Sequence, residues 1–259
     1  MEYSQAMFHF PYPANRGMDL TQIVYLPPLE DASLAGDPAM RFRLTYEGEL
    51  KASQKDPIGQ QPDKIAEHKQ AIRKVFHRQL KHLWATNKFL REHKLAPTDK
   101  HKRVADLNDD HGTFSDPPAA PMAEVIANQY RENDYRFVPL VREEISLLCS
   151  LNILFLRRDI PGSVFSAGDL DNRIKTLIDC LRKPKGANEL RGNEQPAEGE
   201  NPFYCLLEDD NVVTGLVVET DTLLDPPTGD READRRQVKI IITVELKPLD
   251  VTLFNLSFA

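Results

Sequence analysis

Residues 41–50 alternate Phe42, Leu44 and Tyr46 with Arg41, Arg43 and Thr45. A period of two puts each set on its own face, so the stretch predicts a half-buried first strand. Between residues 63 and 92 the spacing becomes helical. Ile65, Ile72, Val75, Phe76 and Leu83 gather on one side, Lys69, Arg73, Arg78 and Lys81 lie on others, and Asp63 is placed to cap the helix. A short helix is predicted over 122–132 and a strand over 135–141. Residues 145–158 are a nearly continuous apolar run ending in Arg157 and Arg158, which predicts a buried strand. From Asn172 to Leu181, Ile174, Leu177, Ile178 and Leu181 recur at i, i+3, i+4 and i+7, the stripe of an amphipathic helix. Strands are predicted over 212–219 and 238–247, joined by a Pro-, Gly- and Asp-rich turn at 225–235. The sum is an α+β fold: a small mixed β-sheet of about four strands with two helices packed on it.

The remaining stretches lack such periods. Residues 1–39 hold Pro11, Pro13, Pro27, Pro28 and Pro38 among scattered aromatics and read as an N-terminal arm, with an extended piece at 22–26. Residues 51–62 form a polar loop, and 96–121 a Pro-rich loop in which Asp109, Asp110 and His111 read as solvated. Residues 182–202, rich in Gly, Pro, Glu and Asn, read as a flexible loop at the mouth of a site. The expected organisation is an arm over 1–39 and one domain over 40–259, with insertions at about 96–140 and 183–203. The apolar tail with Val251, Leu253, Phe254, Leu256 and Phe258 is expected to dock on the core or on a partner subunit.

The chemistry concentrates where the predicted elements begin. Gly168-Asp169-Leu170-Asp171-Asn172 precedes the stripe of the 172–181 helix, and Leu207-Glu208-Asp209-Asp210-Asn211 precedes the 212–219 strand. If Asp169 and Asp171 are extended, they point to one side. Asp171 or Asn172 suits an N-cap, and Lys175 follows Asp171 by one helical turn. Two carboxylates about 4 Å apart repel by roughly 4 kcal/mol at an effective dielectric near 20. Protonation or a hard cation relieves that cost. Oxygen-only ligands suit Mg²⁺ or Mn²⁺ rather than Zn²⁺, and such an ion can orient a water for attack on phosphorus. An N-cap and a solvated turn account for each acidic stretch separately; the metal reading rests on the two together.

Asp169-Leu170-Asp171-Asn172 with Lys175 and Asp179, followed by Asp209-Asp210 and Val212-Val213, resembles the RusA-type Holliday-junction resolvases. The likeness is firmer over 145–247 than over 40–84, and it says nothing of the arm. It implies a RusA-like fold with enlarged loops and a metal-dependent, structure-selective endonuclease cleaving branched DNA as a homodimer. It implies Mg²⁺, with Mn²⁺ able to substitute, held by Asp169, Asp171 and Asp210. Asp209 or Glu208 would be a further ligand or a supporting group, and Lys175 would stabilise the phosphate. Lys51 and Lys55, after the first strand, and Arg157 and Arg158, before the motif, would approach the nucleic acid. The alternatives are a non-catalytic or differently specific nucleic-acid-binding module of a DNA-processing or phage-related complex, and a phosphoesterase acting on other substrates.

Charge modifies this picture. The net charge of −7 speaks against a general nucleic-acid binder, but residues 64–103 hold twelve Lys/Arg against three acids. Local fields decide where a phosphate backbone docks, so Lys69 and Arg73 of this basic helix are expected DNA contacts. Five of the seven histidines, His68, His77, His82, His93 and His101, fall in or near it without the convergent spacing of a zinc site. Three scattered cysteines, Cys149, Cys180 and Cys205, read as free thiols of a cytoplasmic protein. No apolar run is long enough to span a bilayer, and no membrane partner is expected.

Overall fold

The computed structural model describes residues 40–52, 65–95, 119–158, 169–226, 229–230 and 236–251, with 234, 255 and 258; the backbone of Asp169 is included but its side chain is not. The fold is mixed α+β. A four-stranded sheet is built from β1 (Arg41–Glu49), β6 (Leu147–Arg157), β8 (Val213–Thr222) and β9 (Gln237–Pro248), in the order β1-β9-β6-β8. β9 runs antiparallel to both of its neighbours, and β6 and β8 are parallel. The expected four strands are therefore these, within a few residues of the predicted bounds.

Alternation explains the sheet's two faces. Leu147, Cys149, Leu151, Ile153 and Phe155 of β6 are buried, as are Val238, Ile240, Ile242, Val244 and Leu246 of β9. Their register pairs Leu151 with Val244 and Ile153 with Ile242, so these rows share one side of the sheet. Leu44 and Tyr46 of β1 join them opposite Ile242 and Ile240. A register shift between Cys149 and Ser150 realigns β8 so that Val213, Leu216 and Val218 stand on that same side, opposite Cys149, Leu151 and Ile153.

Helices α1 (Ala66–Thr86), α2 (Lys88–Glu92), α3 (Met122–Gln129) and α4 (Asp169–Leu181) accompany the sheets. The long helix expected over 63–92 is thus divided at Asn87, whose side chain caps α2 by accepting from the Leu90 N–H. The N-cap position of α1 is occupied by Ile65 and not by Asp63, which lies outside the described residues. Ile72, Phe76, Leu80 and Trp84 of α1 recur every four residues and are buried in the main core. Each large apolar side chain buried in this way contributes roughly 1.5–3 kcal/mol relative to exposure.

A second sheet, not foreseen from the sequence, joins β4 (Arg131–Glu132), β5 (Tyr135–Val141) and β7 (Phe203–Leu207), with β5 and β7 parallel. Residues 119–141, expected as an insertion, are thereby built into the core, where Phe137, Val138, Leu140 and Val141 are buried. A two-residue pair, β2 (Lys94–Leu95) with β3 (Ala120–Pro121), brackets residues 96–118. The segment expected to be a flexible loop after α4 is packed. It contains a 3-10 turn at Ala187–Leu190 whose Leu190 is fully buried beside Tyr135, Phe137 and Phe203. The arm at 1–39 and the Asp109-Asp110-His111 stretch lie outside the described residues, as does most of the apolar tail. Of that tail, Phe258 is buried edge-on against Phe89.

Candidate functional site

The acidic motif begins α4 itself. Asp169 is the first helical residue and Asp171 lies in the first turn, so neither is extended, and Asp171 and Asn172 stand inside the helix instead of capping it. Helical positions two apart are separated by about 200° around the axis, so Asp169 and Asp171 occupy different sides of the helix and not the one side expected of an extended segment. The i, i+4 relation of Asp171 and Lys175 does hold. Both are exposed, and both line a cavity of about 770 Å³ in the groove between α4 and β8. Its walls are Leu170, Ile174 and Ile178 from the helix and Val213, Leu216 and Val218 from the strand, with Asp179 and Asp210 as further polar members. The sequence stripe explains this placement: Leu177 and Leu181 are fully buried beneath the helix, and Ile178, half-buried, turns to the groove.

The second acidic stretch reaches the cavity from the other direction. Glu208 N–H donates to Val141 O at 2.9 Å and Lys183 N–H to Leu207 O at 3.0 Å, which fixes the end of β7 beside the last turn of α4. A 3-10 turn over Asp210–Val212 then leads into β8. Asp209 caps that turn: its Oδ1 accepts from Asp210 N–H at 2.7 Å. Lys185 Nζ lies 2.7 Å from Asp209 Oδ1 and 3.1 Å from Asp210 Oδ1. Burial by itself would raise the Asp209 pKa, but the hydrogen bonds from Asp210 and Lys185 outweigh it and hold the carboxyl well below the usual carboxylate range. Hydrogen bonding to Asp209, and then to Asp210, raises Lys185. Asp209 is therefore a capping and pairing group, and only Asp210 of the acidic pair lines the cavity. Glu208 is turned elsewhere, its Oε2 accepting from Glu143 N–H at 3.2 Å.

Asp210 is tied by Lys185 to the segment just beyond α4, whereas Asp171 belongs to the helix's first turn. The eight helical steps from Asp171 to Asp179 span about 12 Å of helix axis. Among the described residues no three His, Cys, Asp or Glu side chains converge as a metal-ligand set. The Asp169 side chain lies outside them. The donors that are described fit a hard cation in their chemistry. Asp171 and Asp210 present exposed carboxylate oxygens to one cavity, and the Asp209–Asp210 pair already holds a cation in the form of the Lys185 ammonium.

The expected DNA-gripping residues are placed differently from the expectation. Lys69 is 4 % exposed and donates to Asp179 Oδ2 at 2.9 Å. Arg73, 2 % exposed, donates to Glu189 Oε2 at 2.6 Å and to the Asp179 carbonyl at 3.0 Å. Arg182 completes the group, donating to Asp179 Oδ1 and Glu189 Oε1, both at 2.9 Å. Burial works to raise the Asp179 pKa, and the bonds from Lys69 and Arg182 more than reverse it. Lys69 and Arg73 are thus interior ion-pair members that cannot meet a phosphate backbone. Arg157 is likewise buried at 5 % exposure, and Arg158 pairs with Asp234 in a part-buried bridge. Lys51 remains on the surface, its Nζ 3.6 Å from Glu49, and Lys55 lies outside the described residues.

The basic surplus of α1 has a partner the sequence reading missed. Lys74 bridges to Glu200 at 3.1 Å, and Lys81 donates to Gly199 O at 2.8 Å. His77 accepts from Tyr204 N–H at Nδ1 (2.8 Å), which leaves Nε2 protonated to donate to Gly199 O at 3.3 Å. With Arg73 to Glu189, these bonds fasten the acidic 187–200 segment along the basic helix. The available signal was the opposite charge of the two stretches.

No family model matches this chain, and no curated protein and no solved structure matches it. No helix among the described residues is long and apolar enough to cross a membrane.

Proposed function

We propose that this chain is a metal-dependent, structure-selective endonuclease that hydrolyses phosphodiester bonds in branched DNA. One observation carries the reading: Asp171, Lys175 and Asp210, drawn from two motifs 35 or more residues apart, line one cavity. Asp171 and Asp210, with Asp169 at the start of the same helix, would hold Mg²⁺ or Mn²⁺. The bound ion would activate a water and offset the charge that builds on the leaving oxygen. Lys175 would meet the phosphate oxygens one turn along the helix from Asp171. A homodimer acting on a two-fold junction would present two such sites. The cytoplasm belongs to the same proposal.

A second reading is favoured by the interior placement of Lys69, Arg73 and Arg157. With Lys69 and Arg73 committed to the protein's own acids and Arg157 buried, the chain would act as a differently specific or non-catalytic nucleic-acid module of a larger DNA-processing complex.

The test is incubation of labelled four-way junction and matched linear duplex with the protein in Mg²⁺, Mn²⁺ or EDTA, beside Asp171→Asn. Metal-dependent paired nicks at the junction, lost in the variant, support the first reading. Binding without cutting in either metal supports the second.

A further inference from the structure

We propose that Lys185 is a tethered counter-ion that competes with the metal for Asp210, so that loading of the site requires its release. This rests on the metal-site reading above and adds a positioning residue to it.

The geometry has three parts. First, the Lys185 ammonium contacts one oxygen of each neighbouring acid, at 2.7 Å from Asp209 and 3.1 Å from Asp210. A divalent cation on the Asp210 carboxylate would sit close to this ammonium, and like charges repel, so the two occupants compete for the same acid. Second, the segment that carries Lys185 is held on both sides. Arg182 is buried and bonded to Asp179 and Glu189, and Glu189 is bonded in turn to Arg73, with Leu190 sunk in the core. The ammonium therefore cannot drift away from the acids; it can only swing on its own side chain. Third, Lys185 is half-exposed and so are the two carboxylates, which keeps the pairing weak enough to be exchanged. A buried bridge here would lock the acid, as Lys69 locks Asp179.

Lys185 thus has two effects. It neutralises the repulsion between Asp209 and Asp210 before metal arrives, and it holds Asp210 toward the end of α4. Displacing it releases the Asp210 carboxylate while Asp209 stays fixed as the cap of its turn, through the Asp210 N–H. Lys175 lines the same cavity.

Mn²⁺ binding to the full chain without DNA, followed by electron paramagnetic resonance of the free ion, tests this. The proteins are wild type, Lys185→Gln, Lys185→Arg and Asp210→Asn, with melting temperature in EDTA as a second readout. We expect Lys185→Gln to bind Mn²⁺ about two- to fivefold more tightly, the range that removal of an exposed ion pair supports. Lys185→Arg should stay near wild type, and Asp210→Asn should lose binding. The melting point of Lys185→Gln in EDTA should fall slightly and be regained with Mn²⁺. Structural damage alone would weaken binding, so a gain is diagnostic. Equal or weaker Mn²⁺ binding by Lys185→Gln, with Asp210→Asn impaired, overturns the counter-ion role and leaves the metal site standing. Wild-type affinity in Asp210→Asn, or no Mn²⁺ bound by any of the proteins, overturns the metal site and this role with it.

Discussion

The two ends of α4 use carboxylates in opposite ways. Near its C-terminus, Asp179 is bonded to Lys69 and Arg182 and shares Arg73 and Glu189 as wider partners, all largely withdrawn from water. In its first turn, Asp171 stands exposed at a cavity whose remaining walls are mostly apolar. Surrounded by fixed cations, a carboxylate joins secondary elements; at the mouth of a groove, it is available to a ligand. The same distinction sorts the cations. Lys69 and Arg73 lie inside, and Lys175 and Lys185 lie at the rim. Residue type gave Lys69, Arg73 and Lys175 a phosphate-contacting reading in the sequence, and burial separates them.

Asp171→Asn attacks the rim and should have the largest effect. Cleavage of a metal-dependent substrate should fall by about a hundredfold or more, comparable with losing a principal electrostatic group from an active site. Stability in urea should stay within about 0.5 kcal/mol of wild type. Undiminished cleavage would remove the distinction at its functional end.

Asp179→Ala attacks the joint. It takes the carboxylate away from buried Lys69 and leaves Arg182 with Glu189 alone among its acids, and it should cost about 3–5 kcal/mol of folding stability by urea denaturation. The double variant Lys69→Met with Asp179→Leu should recover much of that loss, because apolar replacement of a whole buried pair is often neutral. Failure to recover would mean the charges here do more than join helices.

A smaller effect is expected from acid. Burial lowers the pKa of His77, and desolvation does the same for His68 and His93. The unfolded chain therefore binds protons first, near pH 6.5. Their contribution is intact above that value and is lost as pH falls toward the lower folded pKa values, so denaturant midpoints should decline from pH 7 to pH 5. Protonating His77 at Nδ1 also breaks its acceptance from Tyr204 N–H. His77→Gln should flatten part of that decline, and an unaltered profile would exclude His77 as a contributor.

The smallest effect belongs to Lys51→Glu. If this exposed lysine meets a phosphate, the dependence of log affinity on log salt should shallow by about 0.9. An unchanged slope would leave Lys51 as a solvated partner of Glu49.

Much of the main sheet was legible because β1 alternates with a period of two and β6 is a long apolar run, and both carry a buried face. The strand Phe203–Leu207 was missed: five consecutive apolar or aromatic residues carry no alternation, and their Pro202 neighbour and charged surroundings resembled a loop. The basic helix was misread because its buried arc is wide. Lys69, Arg73 and His77 recur every four residues as a polar stripe beside the apolar one, and both stripes are covered. Nothing local to α1 reveals that, since the acids that cover it come more than a hundred residues later. The placement of the candidate residues was legible in their spacing, with Asp171 and Lys175 on one helix face and Asp210 just before a strand. Lys185 was not, because no period places a loop lysine against an acid.

The position of β9 has a consequence for how the chain is made. It lies between β1 and β6 and, among the described residues, is the only strand paired with β1, across roughly two hundred residues as in Arg43 to Thr243. During synthesis at about 5–20 residues per second, β1 waits roughly 10–40 s for its neighbour. Until then the apolar row of Leu44 and Tyr46 has no sheet to join, and β6 also lacks its antiparallel partner. A nascent chain interrupted before residue 237 would therefore retain two separate strand edges and an uncovered core, a target for chaperones and proteases rather than a smaller folded unit.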